Sequence, residues 1–302
     1  LMINGIVNVY KEKGYTSFDV VAKMRGIFHQ KKIGHTGTLD PDAEVVLPVC
    51  LGKATKVCDL LTDKDKEYKA VLLLGQATDT QDISGEVINS APVNVTEDEV
   101  TAVINSFVGR QMQVPPMYSA LKVNGQKLCD LARQGVMVER KAREINIFSI
   151  EIEDISLPEV TMSVHCSKGT YIRTLCNDIG EKLGCYGCMK SLLRTRVAGF
   201  KLADACRLSE LEEMIKTGQD FVIPIDSVFD NLPAASVIET AQKYVVNGNR
   251  IPVSFIKEAA ESEADFIDGA AYRLYDYKGC FVGIYNYIDE TGDFKPVKIF
   301  YE

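Results

Sequence analysis

The sequence predicts an α/β protein of the α+β kind, built on a mixed sheet and followed by a small β module. Three observations carry that prediction. Strand-like and helix-like segments are interspersed without strict alternation, which argues against a doubly wound parallel sheet. Capping-box signals at Thr16 with Asp19 and at Thr96 with Glu99 each precede a run with one apolar helical face. From about residue 230 the texture changes to short alternating strands separated by Lys-Gly and Thr-Gly turns.

In chain order, "INGIVNV" (3–9) alternates weakly and reads as a strand. Val20, Val21, Met24, Ile27 and Phe28 then form the inner face of the first capped helix. "EYKAVLLLG" (67–75) is a strand ending at glycine, and Val100, Val103, Ile104 and Phe107 line the second capped helix. Residues 114–143 open with a double proline and contain an Asn-Gly turn signal. Their thin apolar pattern and many cations predict a protruding element. Strands follow at about 144–154 and 159–166, then a helix over "GTYIRTLCNDIGEKLG" (169–184), a strand near 191–198 and a helix near 208–217. These elements make a main body of residues 1–229, with the β module spanning 230–302.

Composition narrows the class. Apolar residues make up 46% and charged residues 25%, as in ordinary globular proteins. No run approaches the roughly 20 apolar residues of a membrane helix, and the N-terminus lacks the marks of a signal peptide. Nine cysteines in scattered apolar contexts point to free thiols and a cytoplasmic setting. The net charge of −8 disfavours a nucleic-acid partner until its distribution is considered. Lys and Arg number 25 against 24 Asp and Glu over residues 1–201, and 9 against 18 thereafter. Residues 110–143 and 168–201 each hold seven cations and two anions, enough for a phosphate footprint if they are exposed. Solvated surface accounts for such stretches equally simply.

Several chemistries lack support. There is no G-x-G-x-x-G and no Walker loop, so no nucleotide cofactor is expected. Cys185 and Cys188 form a lone C-x-x-C to which His165 and Cys166 add no second pair at customary spacing, so no metal is expected. Asp40 stands apart. It precedes a proline, which narrows its backbone, in "KKIGHTGTLDPDAEVVLP", where Gly34 and Gly37 allow close approach. Arg173 falls in the first turn of its helix, where the macrodipole disfavours a cation, so an anionic partner is expected. If that partner is Asp40, the carboxylate stays ionised. An exposed arginine laid over apolar surface fits the same sequence.

The segments "GHTGTLDPDA" with "LPVCLGKATK", "KEYKA" with "LGQATDTQD", "PPMYSALKVNGQKL" and "CSKGTYIRTLCNDIGEKLG" resemble the TruB family. Those are tRNA pseudouridine synthases that modify the T-loop uridine at position 55. The resemblance runs through nearly the whole chain in the family's order. It implies a mixed, largely antiparallel sheet of the pseudouridine synthase fold, a thumb-like insertion at about 114–143 and a PUA-like C-terminal domain. It further implies isomerisation of uridine on the T arm of tRNA without metal or cofactor, and no obligate protein partner is inferred.

Residue by residue, Asp40 matches the family nucleophile. Tyr68 matches the tyrosine that stacks on the flipped uracil, and Arg173 the arginine that pairs with the aspartate. His35 matches the histidine that helps displace the base, and Leu192 an apolar residue of the uracil pocket. Lys31, Lys32, Lys122, Lys127, Arg140, Lys141 and Arg143 are candidates for phosphate contacts from their clustering. The chain departs from the family at Val45, where a glycine is usual. If that glycine served positive φ or a tight approach, a β-branched residue would strain the Asp40 loop. Val45 therefore motivates a second reading, a tRNA-binding or folding factor that grips the T arm without efficient turnover.

Overall fold

The computed structural model describes residues 2–37, 39, 43–260 and 265–301. The chain divides into two compact units, one of residues 7–49 and 58–219 and one of residues 1–6, 50–57 and 220–302. Among the described residues no helix is long and apolar enough to cross a membrane.

The larger unit is organised by strands β1 (Gly5–Lys11), β2 (Ile33–His35), β3 (Glu44–Leu51), β4 (Lys66–Leu74), β5 (Gln76–Thr78), β6 (Val87–Ser90), β7 (Gly109–Gln113), β8 (Lys122–Val123), β9 (Gln126–Lys127), β10 (Arg143–Ser156), β11 (Glu159–Cys166), β12 (Gly187–Val197), β13 (Phe200–Lys201) and β14 (Cys206–Arg207). Ten of them form one sheet in the order β14-β1-β3-β12-β4-β11-β10-β7, with β13 on β12 and β2 on β3. The pairs from β12 through β7 are antiparallel, whereas β12 meets β3, and β1 meets β14, in parallel. The sheet is thus mixed and largely antiparallel. Its hydrophobic layer joins Ala70, Leu72 and Leu74 of β4 to Val160, Met162 and Val164 of β11.

Helices α1 (Ser17–Ile27), α2 (Cys58–Thr62), α3 (Glu97–Asn105), α4 (Leu128–Arg133), α5 (Ile172–Lys182) and α6 (Leu208–Thr217) complete this unit. Both expected capping boxes form. Asp19 N–H donates to Thr16 Oγ1 at 3.0 Å while Thr16 N–H donates to the Asp19 carboxylate at 2.8 Å, and Thr96 with Glu99 repeats the arrangement. Each box satisfies two amide donors that a helix start leaves without intrahelical partners. Val100 and Ile104 of α3, with Ile172, Leu175, Cys176 and Ile179 of α5, seat both helices on the sheet's hydrophobic layer. α5 starts three residues later than its sequence pattern suggests, because Gly169 takes φ +80° and Tyr171 is the N-cap.

The basic insertion at 114–143 has local order of its own. Asn124 and Gly125, both at positive φ, turn β8 into β9, as the Asn-Gly signal predicts. Leu128 and Leu131 of α4 are buried, so an apolar foot anchors the element.

In the smaller unit β15 (Ala234–Ser236), β16 (Ile251–Pro252), β17 (Ala271–Tyr275), β18 (Phe281–Ile288) and β19 (Asp293–Ile299) form a five-stranded sheet in the order β15-β17-β18-β19-β16. Tyr272, Leu274, Val282, Tyr285 and Phe294 are among its core residues, joined by Ala241 and Val245. None of the nine cysteines is in a disulfide among the described residues.

Candidate active site

Tyr68 lies on β4, where burial alternates so that Tyr68, Ala70, Leu72 and Leu74 share the inner face. It is opposite Val164 on β11 and opposite Arg194 on β12. A central strand hydrogen-bonded on both sides leaves its backbone little freedom, which fixes where the ring stands. Lys66, two residues earlier, is buried and donates to the carbonyls of Thr62 and Lys64 at 2.8 and 2.6 Å. Burial, helped by the Arg194 charge, pushes its pKa down to about 8.

The start of α5 carries Arg173. The Tyr171 backbone N–H donates to Gln113 Oε1 at 2.8 Å, and Gln113 Nε2 donates back to the Tyr171 carbonyl at 3.1 Å. This reciprocal amide bond ties the helix start to the end of β7. Gly180 and Gly187 bring α5 against β12 so closely that a Cβ on Gly180 would lie 2.1 Å from the Gly187 nitrogen. Arg173 is buried and has the expected anionic partner, with Nη1 3.2 Å from Asp82 Oδ2. Nη1 also donates to the Thr80 carbonyl at 3.4 Å, and Nη2 to the Tyr118 carbonyl at 2.6 Å. One guanidinium therefore joins α5, the turn after β5 and the first residues of the insertion. Asp82 is itself held, because its Oδ1 accepts from Thr80 Oγ1 at 2.9 Å and from Ser84 N–H at 3.0 Å. Asp40, the partner named from sequence, lies outside the described residues.

Arg194 did not stand out from the sequence except as one more cation. It is 1% exposed, and its Nε and Nη2 both donate to the Val46 carbonyl, at 3.0 and 2.7 Å. The Tyr68 phenol is a further partner, which partly offsets the downward push of burial on the guanidinium pKa. A Cβ placed on Gly37 would approach Nη1 to 3.7 Å. Arg194 thus sits behind both the tyrosine and the strand that follows the Asp40 segment. Val45 is opposite Arg194 in the β3–β12 register, fully buried, and is not among the residues of positive φ. The positive φ considered for that position is not adopted, because the position is strand.

His35 ends β2, and its Nδ1 accepts from Gly37 N–H at 3.2 Å. Burial lowers its pKa below the usual histidine value. Accepting the Gly37 N–H requires Nδ1 to carry no proton.

Leu39, Ala43, Tyr68, Ser119, Ala120, Tyr171, Ile172, Arg173 and Leu192 are among the residues lining a cleft of about 220 Å³. That space is ample for a pyrimidine ring. Tyr68, Arg173 and Leu192 come together here, and so do Leu39 and Ala43, which bracket the Asp40 segment. His35 is not among the lining side chains.

The cations divide sharply. In 168–201, Lys168 pairs with Asp63, Lys190 with Glu159, and Arg196 with Asp65 and Glu67, while Arg173 and Arg194 are buried. Lys168, Lys182, Lys190 and Lys201 remain exposed, so only the arginines of that stretch are largely committed to the fold. Lys31, Lys32, Lys122, Lys127, Lys141 and Arg143 are exposed. Arg140 is half-buried and donates to the Pro115 carbonyl at 3.0 Å, tying the two ends of the insertion together. Lys122 stands directly opposite Lys127 in the β8–β9 register. Like charges so placed repel.

Family models match the described architecture. Residues 25–172 match the TruB family pseudouridylate synthase N-terminal domain, and residues 173–230 the tRNA pseudouridylate synthase B C-terminal domain. The tRNA pseudouridine synthase B of Lachnoclostridium phytofermentans is 52% identical over 99% of this chain and 100% of its own. The Clostridium perfringens SM101 protein of the same name is 45% identical over 99% and 100%. Among solved structures, an H/ACA ribonucleoprotein bound to a substrate RNA containing 2′-deoxyuridine has a chain 25% identical, with a TM-score of 0.71, covering 99% of this chain and 85% of that one. An archaeal box H/ACA complex of Nop10 and Cbf5 gives 26% and 0.70, covering 99% and 86%. On this evidence the chain belongs to the TruB family of pseudouridylate synthases.

Proposed function

We propose that the protein is a tRNA pseudouridine synthase that isomerises the T-loop uridine at position 55, with Asp40 as nucleophile. The observation that carries this reading is the cleft, which Tyr68, the buried Arg173 and both neighbours of the Asp40 segment line together. Relatives named tRNA pseudouridine synthase B support the substrate class. The T arm follows from the motif resemblance.

The reaction breaks the bond between C1′ of the ribose and N1 of uracil, rotates the base and forms a bond from C1′ to C5. The C5 proton leaves and N1 gains one, so nothing is oxidised or reduced. Asp40 holds one fragment while the glycosidic bond is open. Tyr68 stacks on the extruded base, which offsets about 1–3 kcal/mol of the unstacking cost, and its phenol receives or relays the C5 proton. Arg173, fixed by Asp82 and two carbonyls, places positive charge beside the cleft and favours the ionised aspartate. Leu192 bounds the base, and His35 acts outside the cleft on the stack from which the base is drawn. Lys31, Lys32, Lys122, Lys127, Lys141 and Arg143 contact phosphates, Arg140 serving chiefly to close the insertion. The domain reading keeps 1–229 as catalytic domain, 114–143 as thumb and 230–302 as a PUA-like module, in a protein that works in the cytoplasm.

The second reading, a binding factor without turnover, rested on Val45, and that residue's strand backbone answers the positive-φ part of the concern. Release of tritium from C5-labelled uridine in unmodified tRNA tests the function. Turnover that Asp40→Asn abolishes while tRNA binding persists is the expected result. Undiminished turnover in that variant would reject the nucleophile.

A further inference from the structure

Ser119 lines the cleft from the insertion side. It is 4% exposed, and its Oγ is buried without a hydrogen-bond partner among the described residues. Its backbone is fully engaged, since Ser119 N–H donates to the Met117 carbonyl at 2.9 Å and its own carbonyl accepts from Cys129 N–H at 3.0 Å. The preceding carbonyl, that of Tyr118, is the one gripped by Arg173 at 2.6 Å. The peptide that carries the hydroxyl is thus fixed on both sides, and because Oγ is buried the side chain must turn about χ1 to meet a ligand in the cleft.

Buried hydroxyls nearly always find partners, and one that has none inside the protein costs stability. The other side of this site has the complementary need. Leu39, Ala43, Ala120, Ile172 and Leu192 supply an apolar lining. A uracil ring carries two carbonyl oxygens and an imide N–H that such a lining cannot satisfy. Thr170, the other hydroxyl-bearing aliphatic residue on the lining, already donates to the Ser167 carbonyl at 3.0 Å.

We infer that Ser119 is a substrate-binding residue whose hydroxyl hydrogen-bonds the polar edge of the extruded pyrimidine base. This rests on the synthase reading of the cleft. It adds a polar contact, drawn from the insertion, to the stacking that Tyr68 provides. A hydroxyl both donates and accepts, so it serves a carbonyl or the imide equally. When the base enters, the orphaned group and the unsatisfied base edge pair with each other.

The test compares Ser119→Ala with the parent protein in thermal unfolding and in single-turnover tritium release over a range of tRNA concentrations. Because the hydroxyl has no internal partner, the expected unfolding midpoint is unchanged or raised. The expected loss in the single-turnover rate at saturation, or in apparent affinity for tRNA, is about tenfold, which corresponds to about 1.4 kcal/mol. Turnover and affinity both within twofold of the parent would overturn the inference. So would a midpoint lowered by several degrees, since that would give the hydroxyl a structural partner. If the parent protein itself released no tritium, the synthase reading would fail, and that result is distinct from either outcome in the variant.

Discussion

Replacing Gly180 by alanine sets two known effects against each other. Alanine is the better helix former by about 1 kcal/mol. Against this, the new methyl would lie 2.1 Å from the Gly187 nitrogen, 2.2 Å from the Tyr186 carbonyl carbon and 2.4 Å from Gly187 Cα. Non-bonded carbons settle at about 3.5–4.0 Å, so α5 must retreat from β12 by roughly 1 Å or more. All three obstacles are backbone and cannot rotate aside. Overpacking of that kind costs about 3 kcal/mol, at the upper end of its range. Repulsion therefore wins by about 2 kcal/mol, which lowers Tm by about 4–8 °C in a unit of this size. The displacement reaches the site too, because Arg173 lies two turns earlier on the same rod. A misplacement of about 1 Å can cost about 100-fold in rate. Calorimetry and tritium release read the two effects. Gly26→Ala is the control, since Gly26 is exposed on α1 with nothing within 4 Å of the added methyl, and it should stabilise by about 0.5–1 kcal/mol. A Gly180→Ala protein with unchanged Tm and turnover would show that α5 is not seated on the backbone of residues 186–187.

Two further expectations concern charge. His35 has its pKa lowered in the folded state, so the neutral ring contributes stability that is fully present above the ordinary histidine value of 6.5 and is lost as pH falls through the folded value. Urea unfolding at pH 7.5 and 5.5 should show a smaller acid penalty in His35→Asn than in the parent, and equal penalties would reject the assignment. Lys122 and Lys127 repel across their hairpin in the absence of RNA. Replacing both by alanine should stabilise the free protein slightly, weaken tRNA binding and flatten the plot of log affinity against log salt by about one per lysine removed. An unaltered slope would mean that neither meets a phosphate.

How much of this was legible in the sequence depends on the distance over which each feature is decided. The capping boxes at Thr16 and Thr96 are settled within four residues, and both formed as read. The strand holding Tyr68 was plain from its period of two, and so was the Asn124–Gly125 turn. Arg173 was expected to meet an anion, and among the described residues that anion is Asp82, 91 residues away across a turn whose position no local pattern fixes. Arg194 was counted with the basic residues of 168–201 and proved to be buried. The available signal was its place two residues beyond Leu192 on a strand facing Tyr68, but the carbonyl of Val46 that anchors it belongs to a parallel neighbour. Val45 was read as a hazard because a family glycine suggests unusual φ. Gly180 and Gly187 are among the glycines that do enforce closeness, and the sequence did not single them out.

What Arg173 holds in the insertion is a peptide oxygen, that of Tyr118, and not a side chain. That grip is therefore indifferent to the side chain at 118, whose phenol donates separately to Asp79 Oδ2 at 3.4 Å, provided the amide plane stays put. Grafting a loop of different recognition onto this scaffold would succeed or fail on main-chain trajectory at one position, whatever amino acids the graft displays to its nucleic acid.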